Sequence, residues 1–211
     1  MSSLDEAQYA YANITISGLP GSGSTTLLNM LREELKFEGW KGFSGGEFMR
    51  SYAAEKGLFD ASNQLHHDAT VYGEDFDRQI DMGIREKLQV EKKWIIESWL
   101  SGFMAQGVAG TLKVLMICSD DAVRVDRIVN RDAVNAVAAK HHIHERKEKN
   151  ENKWKRMYTK EWQEFVVEPK KVLPSDPIDF WNPTLYDRVI DTYSMNQADA
   201  LKIVLDAIKK K

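Results

Sequence analysis

The sequence predicts an α/β three-layer fold with a central parallel sheet of about five strands. Short apolar runs alternate along the chain with stretches of helical periodicity, which implies parallel pairing through helical crossovers. The first apolar run passes directly into a cluster of glycines and then into an amphipathic helix. The chain of 211 residues, 43% of them hydrophobic, carries enough apolar material for one domain with small excursions.

The elements follow in order. Asn13-Ile14-Thr15-Ile16-Ser17 reads as a strand, and Leu27, Leu28, Leu31 and Leu35 mark one face of the helix after the glycines, closed by Gly39. Lys41-Gly42-Phe43 is a short strand, and Ser44-Gly45-Gly46 opens another helix. Residues 62–92 read as mostly helical and polar. Trp94-Ile95-Ile96 and residues 112–118 are buried-type strands, with a helix over 120–131 after the second. A long charged helix is expected over 144–166, and residues 168–183 hold all but one of the five prolines and read as loop. Arg188-Val189-Ile190-Asp191 is the last strand. The final helix opens with Ser194 and Gln197 at capping-box spacing and buries Leu201, Val204, Leu205 and Ile208.

Composition excludes several classes. A net charge of −3 with 29% charged residues is not that of a nucleic-acid polymer binder. No apolar run approaches the ~18 residues of a membrane span. The lone Cys118 sits in an apolar run and reads as a buried strand residue in a reducing, cytoplasmic setting. Residues 1–12, with Asp5 and Glu6 and no basic start, read as a flexible lead-in and not a signal peptide.

The chemistry is concentrated in Gly18-Leu19-Pro20-Gly21-Ser22-Gly23-Ser24-Thr25-Thr26. Glycines between a strand and a helix let backbone N–H groups turn inward, and the helix N-terminus adds positive partial charge, which together suit phosphate. Gly18, Gly21, Ser22, Gly23, Ser24, Thr25 and Thr26 are the expected nucleotide-binding residues, with the Thr25 hydroxyl as Mg²⁺ ligand. The strict pattern G-x-x-x-x-G-K-[ST] has lysine where this chain has Ser24. The bland alternative is a glycine-rich turn without a ligand.

The segment Ile14-Thr15-Ile16-Ser17-Gly18 running into Gly21-Ser22-Gly23-Ser24-Thr25-Thr26 resembles the archaeal-type cytidylate kinases, a branch of the nucleoside monophosphate kinases. That branch typically reads I-T-I-x-G-x-x-G-[ST]-G-T-T-T, without the lysine. Further matches follow in order: Ser44 to Arg50; the acidic stretch around Asp75, Asp77 and Asp81; Ile95 to Gly102; Arg127 to Asp132; Arg146, Asn150, Lys153 and Trp154; and Tyr186 to Thr192. The resemblance spans roughly residues 13–208.

The resemblance implies a P-loop kinase-like fold in a single domain. Residues 12–43, 94–130 and 185–211 would form the core, 44–93 a monophosphate-binding arm, and 131–184 a lid with an extended linker. The implied reaction is transfer of the ATP γ-phosphoryl to CMP or dCMP with Mg²⁺. Arg127, Arg131, Arg146 and Lys153 would be catalytic, and Ser44, Gly46, Arg50, Glu97 and Asn150 would bind the acceptor. A monomer is expected. Trp99 stands where the family has an arginine, Asn150 replaces an acid and Lys153 an arginine. Those departures keep open a small kinase with another acceptor, and a catalytically inactive nucleotide-binding regulatory protein.

Other residues read more plainly. Arg124 is expected on a solvated face balanced by nearby acids. Glu97 stays open between holding a Mg²⁺-bound water or substrate group and a structural acid bonded to backbone. His141, His142 and His144 are not expected to bind metal, and neither are the adjacent His66 and His67. Trp154, Tyr158, Trp162 and Phe165 read as a packing stripe.

Overall fold

A computed structural model describes residues 9–55, 72–132 and 135–209. Five strands, β1 (Asn13–Gly18), β2 (Lys41–Ser44), β3 (Trp94–Glu97), β4 (Thr111–Ile117) and β5 (Arg188–Asp191), pair in the order β2-β3-β1-β4-β5. Every pairing is parallel, with Ile14 opposite both Ile95 and Leu112. The eight α-helices are α1 (Ser24–Leu35), α2 (Gly45–Glu55), α3 (Glu74–Val90), α4 (Ser101–Met104), α5 (Asp121–Asp132), α6 (Ala136–Met157), α7 (Thr159–Trp162) and α8 (Gln197–Ile208), counted among the described residues.

The period-two alternation of strand side chains sorts the core into two layers. Ile14, Ile16, Ile95, Val114 and Met116 face Leu27, Leu28, Leu31, Val204 and Ile208 of α1 and α8. Ile96 and Leu115 face the other way, toward Phe103 of α4, Leu88 of α3 and Tyr158, between α6 and α7. Helices thus cover both faces, as an all-parallel sheet requires.

Several expectations change in detail. The helix expected over 144–166 begins at Ala136, and α6 ends at Met157, before α7 and a π-helical turn over Gln163–Val167. Its early start is packed: Ala139 and Ile143 bury against Val125 and Ile128 of α5. The packing stripe lies in the core, with Tyr158 and Trp162 buried beside Phe103, Phe180 and Trp181. The proline-rich segment is therefore irregular in backbone but closes the core layer around α4. The final helix is capped by Asn196, whose Oδ1 accepts from Asp199 N at 2.9 Å, while Ser194 Oγ donates to Asp191 O at 3.3 Å. The lead-in is anchored from Tyr9 onward: Ala10 N donates to Ile208 O at 2.7 Å, and the Tyr9 ring meets Trp40 edge-on at 5.3 Å. Cys118 is buried. Of the helical stretch expected over 62–92, α3 carries the described part; His66 and His67 lie outside the described residues.

Candidate functional site

The loop 19–23 leaves the C-terminal end of the central strand β1 between β3 and β4, where ligands of open parallel sheets bind. Gly21 (φ 81°) and Gly23 (φ 88°) hold the left-handed conformation that L side chains rarely adopt. A Cβ on Gly21 would also stand 2.9 Å from the Arg124 carbonyl. Ser22 N donates to Leu19 O at 3.0 Å, which closes the loop, and the first intrahelical bond of α1 runs from Leu27 N to Gly23 O at 3.1 Å. The N–H groups of Ser24, Thr25 and Thr26 precede that bond, so the helix geometry leaves them available to a ligand. The first turn of α1 carries no acidic residue and no side-chain cap, which suits an anion.

These groups open into a cavity of ≈ 1190 Å³. It brings together Gly18, Gly21, Gly23, Ser24, Thr25 and Thr26 of the loop with Ser44, Gly46, Arg50, Glu97, Arg127, Arg131, Arg146 and Asn150. Ser22 is buried beneath it, and a Cβ on Gly18 would stand 2.3 Å from Ser22 Oγ. Thr25 is exposed at the cavity wall, and Glu97 ends the strand beside β1. A hydroxyl and a carboxylate, both hard oxygen donors, fit a Mg²⁺ ion.

Glu97 is buried, and its partners are side chains and not backbone. Ser24 Oγ donates to Oε1 and Ser44 Oγ to Oε2, each at 2.8 Å. Burial raises its pKa from the ordinary value, opposed by the hydrogen bonds from Ser44 and Ser24 and the charge of Arg50. Ser44 Oγ also accepts from Glu47 N at 3.3 Å, so it starts α2 while holding Glu97.

Two of the cations expected to be catalytic are tied to the protein itself. Lys153 does not line the cavity: it is 4% exposed, and its Nζ donates to Asp77 Oδ2 and to Tyr72 O, both at 2.8 Å. A buried ammonium must be paired, and this pair holds it in the wall behind the site. Arg127 lines the cavity but is clamped to its base. It donates to Gly21 O at 3.0 Å, Thr192 Oγ1 at 2.7 Å and Thr192 O at 2.9 Å. These contacts tie α5 to the glycine loop and to Thr192 just after β5. Arg124 does more than the solvated-face reading allowed: besides pairing with Asp121 at 3.0 Å, it reaches Pro20 O at 3.4 Å.

Arg146, on α6, lies over the Trp99 ring at 4.9 Å, and Trp99 in turn meets Trp154 and Trp181 edge-on. The tryptophan in the family's arginine position thus presents a π-face to a neighbouring cation. His141 pairs with Glu145 at 3.0 Å. The sequence reading assigned no role to Asp77, Asp81 and Tyr72, all of which line the cavity. Asp81 accepts from Tyr158 OH at 2.7 Å, and burial pushes its pKa up to about 7. Burial also raises Asp77, with Lys153 opposing. The spacing of Asp77 and Asp81 by one helical turn was the available signal.

Residues 17–159 match the model of a family described as AAA domain. The chain is 30% identical over 201 residues to a cytidylate kinase of Archaeoglobus fulgidus, covering 94% of this chain and 95% of that protein. It is 31% identical over 200 residues to a cytidylate kinase of Methanosarcina barkeri, covering 92% and 97%. Among solved structures, an uncharacterized protein from Eubacterium ventriosum superposes with a TM-score of 0.57 at 15% identity, over 92% of this chain and 96% of that one. A gluconokinase from Sinorhizobium meliloti gives 0.50 at 11% identity, over 93% and 90%. These two likenesses bear on the fold.

Proposed function

The chain belongs to the family of the archaeal cytidylate kinases, and from that premise we propose that it transfers the γ-phosphoryl of ATP to CMP or dCMP with Mg²⁺. The observation that carries the reading is the single cavity joining the glycine loop to Ser44, Gly46 and Arg50. Donor and acceptor phosphates would meet there without crossing solvent.

The reaction needs no protein nucleophile, because the acceptor phosphate oxygen is ionised at neutral pH. Catalysis is alignment, charge neutralisation and exclusion of water. The loop amides receive the donor phosphates, and Arg127 keeps the loop in shape from behind. Thr25 and Glu97 would hold Mg²⁺, which supplies charge neutralisation on the phosphates. Arg50 binds the acceptor phosphate, and Arg131 and Arg146 face the transferring group from α5 and α6. Asn150, buried on the same wall, contacts the acceptor. In this reading residues 44–93 are the acceptor arm, residues 131–184 the lid and linker, and the working unit is a monomer. Among the described residues no helix is long and apolar enough to cross a membrane.

Steady-state rates of the purified protein with Mg²⁺-ATP and each nucleoside monophosphate test the proposal. CMP and dCMP should give the highest kcat/KM. Preference for another monophosphate would move the reading to a different acceptor, and ATP binding without turnover on any of them would favour an inert nucleotide-binding module.

A further inference from the structure

Asp77 lies on α3, lines the cavity and is 6% exposed. Its Oδ2 accepts from Lys153 Nζ at 2.8 Å, and Lys153 is itself fixed by the Tyr72 carbonyl at 2.8 Å. The other oxygen, Oδ1, is buried without a hydrogen-bond partner among the described residues. Buried polar atoms are paired in the great majority of cases, so this acceptor calls for a donor. The ion pair fixes the carboxylate, which keeps Oδ1 from turning to Lys153. Glu161 Oε2 is also buried without a partner among the described residues, but Glu161 does not line the cavity, so a ligand there cannot serve it.

One turn further along α3, Asp81 lines the same cavity, with Oδ2 accepting from Tyr158 OH at 2.7 Å. Residues four apart on a helix share a face, so two carboxyl groups border this wall. An ionised carboxylate repels carbonyl and phosphate oxygens and attracts N–H donors. The same cavity holds the phosphate-type groups, namely Arg50 and the first turn of α1. A ligand with phosphate at one end and an N–H donor at the other matches both chemistries.

Resting on the nucleotide-kinase reading above, we infer that Asp77, held in place by Lys153, accepts a hydrogen bond from the exocyclic amino group of the acceptor base. It thereby selects an aminopyrimidine over an oxopyrimidine. UMP would place its O4 against the carboxylate, two acceptors facing each other with no proton between them. CMP places N–H there. The family resemblance implied a catalytic Lys153; the pair gives it a supporting place behind a specificity residue.

The test compares kcat/KM for CMP, for UMP and for the CMP analogue whose 4-amino group is replaced by hydrogen, in the wild type and in Asp77→Asn. One hydrogen bond to a charged group discriminates by roughly ten- to a hundredfold. The wild type should therefore favour CMP over each competitor at least tenfold on that estimate. Asp77→Asn, whose amide offers an N–H to O4, should lose most of the CMP-over-UMP preference while its KM for ATP holds. If that variant does not fold by circular dichroism, Asp77→Ser takes its place, and it should lose most of the preference for CMP over the amine-free analogue that the wild type shows. Equal use of CMP and the analogue, or a folded Asp77→Asn with the preference intact, overturns the inference. If the wild type turns over no monophosphate, the kinase reading fails separately, and calorimetric affinities of the wild type and Asp77→Asn for CMP and the analogue still decide whether Asp77 reads the amine.

Discussion

Ser24 Oγ donates a hydrogen bond of 2.8 Å to Glu97 Oε1, so the residue at the lysine position of the phosphate loop is turned toward a buried carboxylate. Ser44 holds the other oxygen at the same distance. One carboxylate therefore ties the first residue of α1 to the residue just ahead of α2. The nucleotide loop and the proposed acceptor arm are joined through Glu97.

Ser24→Ala should destabilise the protein, because it strips a partner from a buried carboxylate oxygen. The cost should be about 1–3 kcal/mol. Urea denaturation of wild type and variant checks it. A difference below the error of the extrapolation would mean that Glu97 finds another donor.

Gly23→Val should abolish tight ATP binding. Gly23 has φ 88°, and a β-branched side chain there would force the loop into another shape. Calorimetry should show at least a tenfold loss of ATP affinity on an order-of-magnitude estimate, with the far-ultraviolet circular dichroism of the wild type. Unchanged affinity would place the nucleotide elsewhere.

Arg50→Ala should weaken CMP binding while leaving ATP binding close to that of the wild type. A hydrogen bond to a charged group contributes roughly 1.5–3 kcal/mol, so the expected loss is tenfold or more. Equal losses for both ligands would point to damage of the shared cavity.

Asp81 makes stability depend on pH. Burial raises its pKa from 3.8 to about 7, so the folded chain holds a proton that the unfolded chain releases. Its contribution is fully present below the ordinary aspartate value and is lost as pH rises toward 7. The slope across that window is at most roughly 1.4 kcal/mol per pH unit. Denaturation of wild type and Asp81→Asn from pH 4 to pH 8 reads it. The wild type should lose stability relative to the variant as pH rises, and a constant difference would show that Asp81 titrates normally when folded.

The fold and the phosphate loop were legible because their signals are local. Apolar runs give strands, glycines with left-handed φ give the loop, and leucines at helical spacing give α1. The long-range pairings were not legible. Ser24 and Glu97 are 73 residues apart, Asp77 and Lys153 are 76 apart, and Arg127 and Gly21 are 106 apart. Sequence spacing shows that an arginine or lysine exists, and the tertiary fold alone decides whether it faces substrate or is tied to a carboxylate. The cap of α8 failed for a different reason. Ser194 and Asn196 are both good cap residues, and the hydrogen bond from Ser194 Oγ to Asp191 O leaves the cap to Asn196.

The central claim is phosphoryl transfer from ATP to a cytidine monophosphate in the cavity between the glycine loop and Arg50. Incubation of the protein with γ-labelled ATP, Mg²⁺ and CMP, followed by separation of the nucleotides, tests it most directly. The account predicts label in CDP, formed in step with ADP and reduced roughly tenfold or more when Arg50 is replaced by alanine under subsaturating CMP. Label that stays in ATP, or appears as inorganic phosphate with no CDP, would contradict it.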